Sequence, residues 1–348
     1  MSNQAAELPE MGKILPLVFG FAISQIAGTT SRLGVPKLLS EAPRTVAELV
    51  AATGTDPRYM SRLLHGAAAV GMLERTGDGR YALSPTGRVY LDEAPWQASV
   101  HDAWYSHPAV WQAFGALEEA IRAGKPSFNI VHGTSFFDYL TRDPQLADNF
   151  HRSMATNTTS NHAPIIENYD FSRFGHVVDV GGGNGALVAA ILAAHPTLRG
   201  TVVDTALAVA DAPSVLREAG VSDRCEVVAG DFFKSLPQGA DAYLLKNVLC
   251  DWDDESCVRI LATCRSAMSA DARVVVLDSL VPEEGTTGHP DEVLAAAVRN
   301  AAIMVVFPGL DRTLAEFEQL FTAAGFKVGE VKPLHSSFTF HAIEALPA

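Results

Sequence analysis

The run Asp179-Val-Gly-Gly-Gly-Asn-Gly185 constrains this chain more than any other stretch. It follows a short apolar segment, His176-Val-Val-Asp-Val180, and precedes an apolar helix-forming run, so it reads as strand, glycine-rich turn and helix start. Glycines at such a turn let the backbone bend tightly and approach a ligand with no Cβ in the way. The helix N-terminus presents free N–H groups toward the same point. Further short apolar runs follow at 200–204, 240–246 and 273–278, with helical stretches between them. Runs of this kind predict strands buried on both faces of a mostly parallel sheet, an α/β architecture. After a last helix over 314–324, the segments 327–333 and 336–342 predict an antiparallel hairpin that closes the sheet edge.

The residues around the turn narrow the ligand. Asp204 ends the second strand, 23 residues after Gly181, where a carboxylate can accept both hydroxyls of a ribose. A Rossmann dehydrogenase shares this logic, and Gly181-x-Gly183-x-x-Ala186 fits the dinucleotide fingerprint. Three features shift the balance. Asp179 stands two residues before the first glycine, where it can meet an ammonium group and would repel a pyrophosphate. Gly230-Asp231-Phe232 ends the third strand with an acceptor for an adenine amine and a flat ring beside it. Lys246 and Trp252 flank the end of the fourth strand over the same pocket. The candidate cofactor set is therefore Asp179, Gly181, Gly183, Gly185, Asp204, Asp231, Phe232, Lys246 and Trp252.

The N-terminal half has a different texture. Residues 10–28 are apolar on nearly every face, and a helix like that needs cover that a small domain rarely supplies. An interface between two subunits would supply it. Thr45 and Glu48 stand in capping-box spacing at one helix start. A Gly54-Thr-Asp-Pro turn then opens a second helix, in which Met60, Leu63, Leu64 and Ala67 form an apolar stripe. Two short strands around Gly77-Asp-Gly79 complete a winged-helix pattern. Alone, that pattern suggests a DNA-binding regulator. The second helix offers only Arg58, Arg62 and His65, however, and the formal charge of the chain is −14. A duplex reader needs clustered cations to neutralise phosphates, so dimerisation is the favoured role and no nucleic-acid partner is expected. Residues 97–165 read as a helical connection rich in aromatic side chains, suited to core or to the walls of an aromatic-substrate pocket.

The 348 residues exceed what one core usually serves, which predicts two domains. Their boundaries are expected at 1–96 for the winged-helix unit, 97–165 for the connection and 166–348 for the cofactor domain. The longest apolar runs, such as 14–27, read as too short or too interrupted to span a bilayer, and the N-terminus lacks signal-peptide features. A cytoplasmic protein with no membrane partner is the expectation. Cys225, Cys250, Cys257 and Cys264 show no metal-ligand spacing, so buried thiols and no metal are expected.

With these segments in place, the chain resembles the plant-type (caffeic acid-like) small-molecule O-methyltransferases, in their bacterial natural-product branch. The resemblance covers nearly the whole length. Its most specific piece is Leu245-Lys-Asn-Val-Leu-Cys-Asp-Trp-Asp-Asp-Glu-Ser-Cys-Val-Arg-Ile-Leu261, joined by Gly309-x-Asp-Arg-Thr313. The family implies a Rossmann-like domain in which the glycine loop, Asp204, Asp231, Phe232 and Lys246 bind S-adenosylmethionine (SAM), leaving S-adenosylhomocysteine (SAH) as product. It also implies a homodimer whose N-terminal segment helps close the partner's acceptor pocket. The expected activity is methylation of a hydroxyl on an aromatic or polyketide-like molecule of secondary metabolism, such as antibiotic biosynthesis. Candidate pocket residues are Trp104, His107, Met154, Asn300 and Met304.

The chain departs from the family pattern at the base. The position usually held by the histidine that deprotonates the acceptor is Cys250, and the two glutamates that steady that histidine are matched by Asp278 and Asp311. General-base help is worth roughly 10²–10⁴-fold, and a phenol with a pKa near ~10 is ionised only to about one part in a thousand at neutral pH. Losing the base slows a phenol methylase without abolishing it, since bringing the two reactants together supplies much of the acceleration. A thiolate at Cys250, a stand-in base among His101, His107, His151 and His162, or an acceptor needing no base are the open alternatives. Two other readings stay beside O-methylation. One is N-methylation of a heteroaromatic ring. The other is a repurposed SAM-binding member that carries out hydroxylation, decarboxylation or pericyclic chemistry.

Overall fold

The structure, a computed structural model, describes residues 11–92, 97–281, 290–334 and 340–348. The chain divides into two compact units, Met1–His107 and Pro108–Ala348.

The first unit begins with the helix Met11–Arg32. Its Leu17 is 86% exposed and its Phe21 64%, with Leu15, Val18 and Phe19 also open, so one side of the helix lacks cover among the described residues. The helix outruns the sequence expectation. From Ile14 to Arg32 it reaches the length and apolar character of a bilayer-crossing segment, so length does not separate the two cases. The next helix, Val46–Thr53, starts where predicted. Thr45 Oγ1 accepts from Glu48 N–H at 3.2 Å while Thr45 N–H donates to the Glu48 carboxylate at 2.7 Å. The Asp56 carboxylate then caps Pro57–Ala69 by accepting from two backbone amides, and Met60, Leu64 and Ala67 are buried one turn apart. Strands β1 (Leu73–Arg75) and β2 (Tyr81–Leu83) pair antiparallel around a turn whose Gly79 has φ 83°. These elements close one core of Leu49, Met60, Leu64, Leu73, Tyr81 and Leu83.

The second unit is built on seven strands: β3 (His176–Val180), β4 (Arg199–Asp204), β5 (Cys225–Ala229), β6 (Ala242–Lys246), β7 (Arg273–Ser279), β8 (Phe326–Pro333) and β9 (Phe340–Pro347). Their order across the sheet is β5-β4-β3-β6-β7-β9-β8, with the first five parallel. Alternation along each strand feeds two cores. Val178, Val180, Tyr243, Leu245, Val274 and Val276 enter one, whereas Val177, Ala242, Leu244, Val275 and Leu277 enter the other. That is the burial on both faces that the apolar runs predict. The helix Ala186–Ala194 after the glycine loop is almost wholly apolar and packs into the second core. The closing pair is antiparallel as expected, with β9 lying between β7 and β8 so that β8 forms the edge. Residues 335–339, the start of the strand predicted at 336, lie outside the described residues, and β9 continues beyond 342 to Pro347.

Candidate functional site

In a parallel sheet the strands deliver their C-terminal residues to one edge, where the loops leave room for a ligand. Here that edge carries Asp179 with the glycine loop, Asp204, Asp231, Lys246 and Asp278. Gly181 follows β3 with φ 71°, and a Cβ there would lie 2.8 Å from Val248 Cγ2, so both the turn and the packing require glycine. Gly183 N–H donates to the Asp204 carboxylate at 3.0 Å, and Thr205 N–H donates to it at 2.7 Å. Asp204 thereby ties the loop after β3 to the end of β4. Gly185, also left-handed, precedes the helix.

Asp179 is 2% exposed, and its Oδ2 has no hydrogen-bond partner among the described residues. Burial pushes its carboxyl up to about 7, against the pull of Lys246. Lys246, at the end of β6, is pushed down to about 8 by burial, with Asp179 and Asp278 opposing. Its Nζ donates to Asn157 Oδ1 and Thr158 Oγ1, each at 3.3 Å, on the helix Pro144–Asn168. Met154 stands one turn earlier on that helix, and its carbonyl accepts from Thr158 Oγ1. Asp231 is different: its carboxylate is taken up by Lys234 Nζ at 3.0 Å and Phe233 N–H at 3.0 Å on an exposed rim. The Phe232 ring meets Trp252 edge-on at 6.2 Å, and Trp252 stacks on Phe137 at 5.5 Å. Phe137 in turn stacks on Phe307.

Cys250 lies in the short turn after β6. Gly309 packs on that turn so closely that a Cβ would meet the Cys250 carbonyl and stand 2.5 Å from Trp252 N. The fully buried Arg312 pins the same turn, donating to Leu249 O at 2.8 Å, Trp252 O at 2.9 Å and the Asp254 carboxylate at 2.7 Å. These contacts account for the Gly309-x-Asp-Arg segment as a brace. Cys250 is 3% exposed, and burial, then Asp278 and Asp251, push its thiol well above the ordinary range. Its Sγ contacts Asp251 Oδ1 at 3.7 Å, and the Asp251 carboxyl is pushed up to about 8 by burial and by Asp278.

The expected partners of Cys250 do converge, but around a residue the sequence reading missed. Arg299, on the helix Pro290–Val306, bonds the Asp311 carboxylate through one guanidinium nitrogen. The other lies 3.5 Å from Cys250 Sγ and 3.6 Å from the Asp278 carboxylate. Burial works against the charge on Arg299, yet Cys250, Asp278 and Asp311 outweigh it and raise its pKa. A signal for it was present: Arg299 is the lone cation of Val-Leu-Ala-Ala-Ala-Val-Arg-Asn-Ala-Ala-Ile-Met-Val-Val306, and a charge on so apolar a helix needs a partner. Asn300 Oδ1 accepts from Asp311 N–H at 3.2 Å, whereas Met304 is 37% exposed. Trp104 and His107 belong to the first unit, where Trp104 is buried against Tyr105. Of the stand-in histidines, His101 also lies there. His151 and His162 ride the Pro144–Asn168 helix, His151 within reach of the Asp204 field and with its pKa lowered chiefly by burial. Asn247, in the left-handed region at φ 52° with Oδ1 unpartnered among the described residues, is a second residue no sequence signal singled out.

Comparison with known proteins agrees with this architecture. Residues 114–327 match the O-methyltransferase domain, and residues 15–93 match the O-methyltransferase dimerisation domain. The chain is 38% identical to the O-demethylpuromycin-O-methyltransferase of Streptomyces alboniger, over 99% of this chain and 92% of that protein. It superposes on the mitomycin 7-O-methyltransferase with a TM-score of 0.90 at 33% identity, covering 97% of this chain and 98% of that one. It also superposes on an O-methyltransferase from neocarzinostatin biosynthesis, solved with SAH and 1,4-dihydroxy-2-naphthoic acid. There the TM-score is 0.79 at 31% identity, covering 93% of this chain and 96% of that one. The chain belongs to the O-methyltransferase family and is a SAM-dependent methyltransferase that carries the family's dimerisation domain.

Proposed function

We propose that this enzyme methylates a hydroxyl of an aromatic or polyketide-like small molecule, with SAM along the carboxyl edge of the sheet and the acceptor over the Cys250 turn. The observation that carries the reading is Asp179 Oδ2, a buried carboxylate oxygen beside the glycine loop with no donor among the described residues. An ammonium group would satisfy it, and a carboxylate lacking a donor deep in a protein is costly otherwise. At Gly183, also left-handed, a Cβ would meet nothing within 4 Å among the described residues, so the loop opens onto free space there. Gly181, Gly183 and Gly185 would receive the amino-acid end of SAM, Asp204 the ribose, and Phe232 with Asp231 the adenine. Trp252 and Lys246 would border the transferred methyl. For Asp231 the adenine amine must compete with Lys234, which holds that carboxylate now.

Bound SAM supplies an electrophilic methyl on a sulfonium. This chain's own residues then have two tasks. Trp252, Phe137 and Phe307 form an aromatic wall against which a flat acceptor can stack. The Cys250 turn, braced by Gly309 and Arg312, fixes the distance of approach, and approximation is the main catalytic device. Cys250 is a floor residue in this reading. Its buried, acid-flanked thiol stays protonated near neutral pH and makes a poor base.

The expected division of labour belongs to the same proposal: dimerisation by residues 1–96, pocket walls from 97–165, SAM binding by 166–348. A homodimer in which a second copy covers the open side of the Met11–Arg32 helix accords with the dimerisation-domain match. The deciding experiment is incubation with SAM bearing a deuterated methyl and a panel of phenols, hydroxyquinones, aromatic acids and nitrogen heterocycles, read by mass spectrometry. Labelled O-methyl product with an equal amount of SAH is expected. Label on nitrogen alone, or SAM bound with no label moved, overturns the proposal.

A further inference from the structure

Cys250 stands among three carboxyl groups, Asp251, Asp278 and Asp311, and one guanidinium, that of Arg299. Arg299 brings guanidinium N–H groups, held by Asp278 and Asp311, and it keeps 23% of its side-chain surface accessible while those two carboxylates keep only 1% and 3%. Cys250 presents a thiol, and Asp251 beside it holds its proton up to about 8. Asp311 is bonded to the arginine, whereas Asp278 stands 3.6 Å from it, accepts from Ser279 N–H through Oδ1, and has no partner for Oδ2 among the described residues. Guanidinium N–H groups are complementary to an oxygen that has already lost its proton.

We infer that Arg299 is an acceptor-binding residue that selects acceptors arriving as oxyanions: acidic phenols, hydroxyquinones or enols. The guanidinium that occupies the surroundings of the missing base recognises the charge the base would otherwise have created. The inference rests on the methyltransferase reading and specifies its substrate class. In the transfer itself, a lone pair of the ionised oxygen forms the O–CH₃ bond while the S–CH₃ pair returns to sulfur, giving neutral SAH. The hydroxyl proton has gone to solvent beforehand. The other charged or titratable groups facing Arg299 are Cys250, Asp251, Asp278 and Asp311, with Lys246 close enough to act on Cys250's acidic neighbours. Arg299, Lys246 and Arg312 supply the cations of this cluster against the carboxylates of Asp278 and Asp311, and a protonated Asp251 adds no negative charge at neutral pH.

The test uses the full-length protein with SAH bound and a nitrophenol as probe, because the colour of the bound probe reports its ionisation directly. The wild type is expected to bind the yellow anion and to lower the probe's pKa. Arg299→Met should raise the bound probe's pKa by at least about one unit, equivalent to a tenfold loss of preference for the anion. Arg299→Lys, which keeps the charge and loses the planar fork, should recover part of it. Asp311→Asn frees the guanidinium from a competing carboxylate and should tighten anion binding. In a series of substituted phenols, turnover by Arg299→Met should fall most for the least acidic members, whereas a merely structural arginine would lower all of them alike. A protonated probe in the wild type overturns the inference, and so does an unchanged probe pKa in Arg299→Met. Failure of any phenol to bind a protein that still binds SAH does the same while leaving the cofactor assignment standing. If Arg299→Met does not fold, as judged by SAH binding, Arg299→Lys and Asp311→Asn decide the matter, since they must shift anion affinity in opposite directions.

Discussion

The two halves of the candidate site lie on one sheet edge and are made of different materials. Around Gly181 the surface is backbone, shaped by left-handed glycines and tied by Asp204 to the next strand. Around Cys250 it is a cluster of ionisable side chains drawn from the turn after β6, the end of β7, the Pro290–Val306 helix and the segment before β8. Backbone geometry of the first kind tolerates little variation, because a single Cβ at Gly181 would run into Val248. Side-chain geometry of the second kind can be re-paired while the turn beneath stays braced. Here a cysteine, three aspartates and an arginine make up that cluster.

The largest effect should come from the backbone side. Gly181→Ala adds a Cβ at 2.8 Å from Val248 in a left-handed backbone, a cost of about 2–3 kcal/mol or roughly a hundredfold in SAM affinity. Calorimetric titration with SAH would measure it, and unchanged affinity would break the contrast drawn above. Next, Asp179→Asn removes the carboxylate charge offered to an ammonium group and should weaken SAM by about tenfold or more. The same titration checks it, and phenol binding should be untouched.

A third test sharpens the comparison through pH. Asp179 and Asp251 have folded-state pKa values raised to about 7 and about 8, so the folded protein holds protons that the unfolded chain releases near its ordinary carboxylate range. Stability of the ligand-free protein therefore falls as pH rises from about 4 toward 8. Lys246, lowered to about 8, adds no slope below that pH. Thermal unfolding followed across this range should show the decline, and SAM should flatten the Asp179 portion while leaving that of Asp251. The smallest effect is expected for Cys250→Ala, with turnover changed less than about threefold, far short of the ~10²–10⁴ a general base commands. A steep loss, with a rate rising through a thiol pKa, would return Cys250 to the role of base.

The same contrast explains what could be read in advance. The strands, the glycine loop and Asp204 are local patterns, set by period-two apolar runs and by a turn only glycine can make. The winged-helix unit was legible for the same reason, through the Thr45–Glu48 capping box and the Gly77–Gly79 turn. Arg299 lies 49 residues beyond Cys250, and no spacing rule joins a lone helix cation to a turn so distant. Asn247's left-handed backbone and the engagement of Asp231 by Lys234 likewise depend on packing that single-chain patterns do not encode.

The position of β9 has a consequence for how the molecule is made. It fills the gap between β7 and β8, yet it begins 61 residues after β7 ends, with two helices and β8 synthesised in between. Until it arrives, β7 presents an open edge of unpaired N–H and C=O groups on a sheet already formed by β3 to β7. Completion of the sheet is a late, long-range antiparallel closure, the kind of step that slows folding and exposes a nascent chain to wrong partners. Because β7 ends at Asp278 and Ser279, one of the two acidic partners of Arg299 sits on the strand that this closure covers.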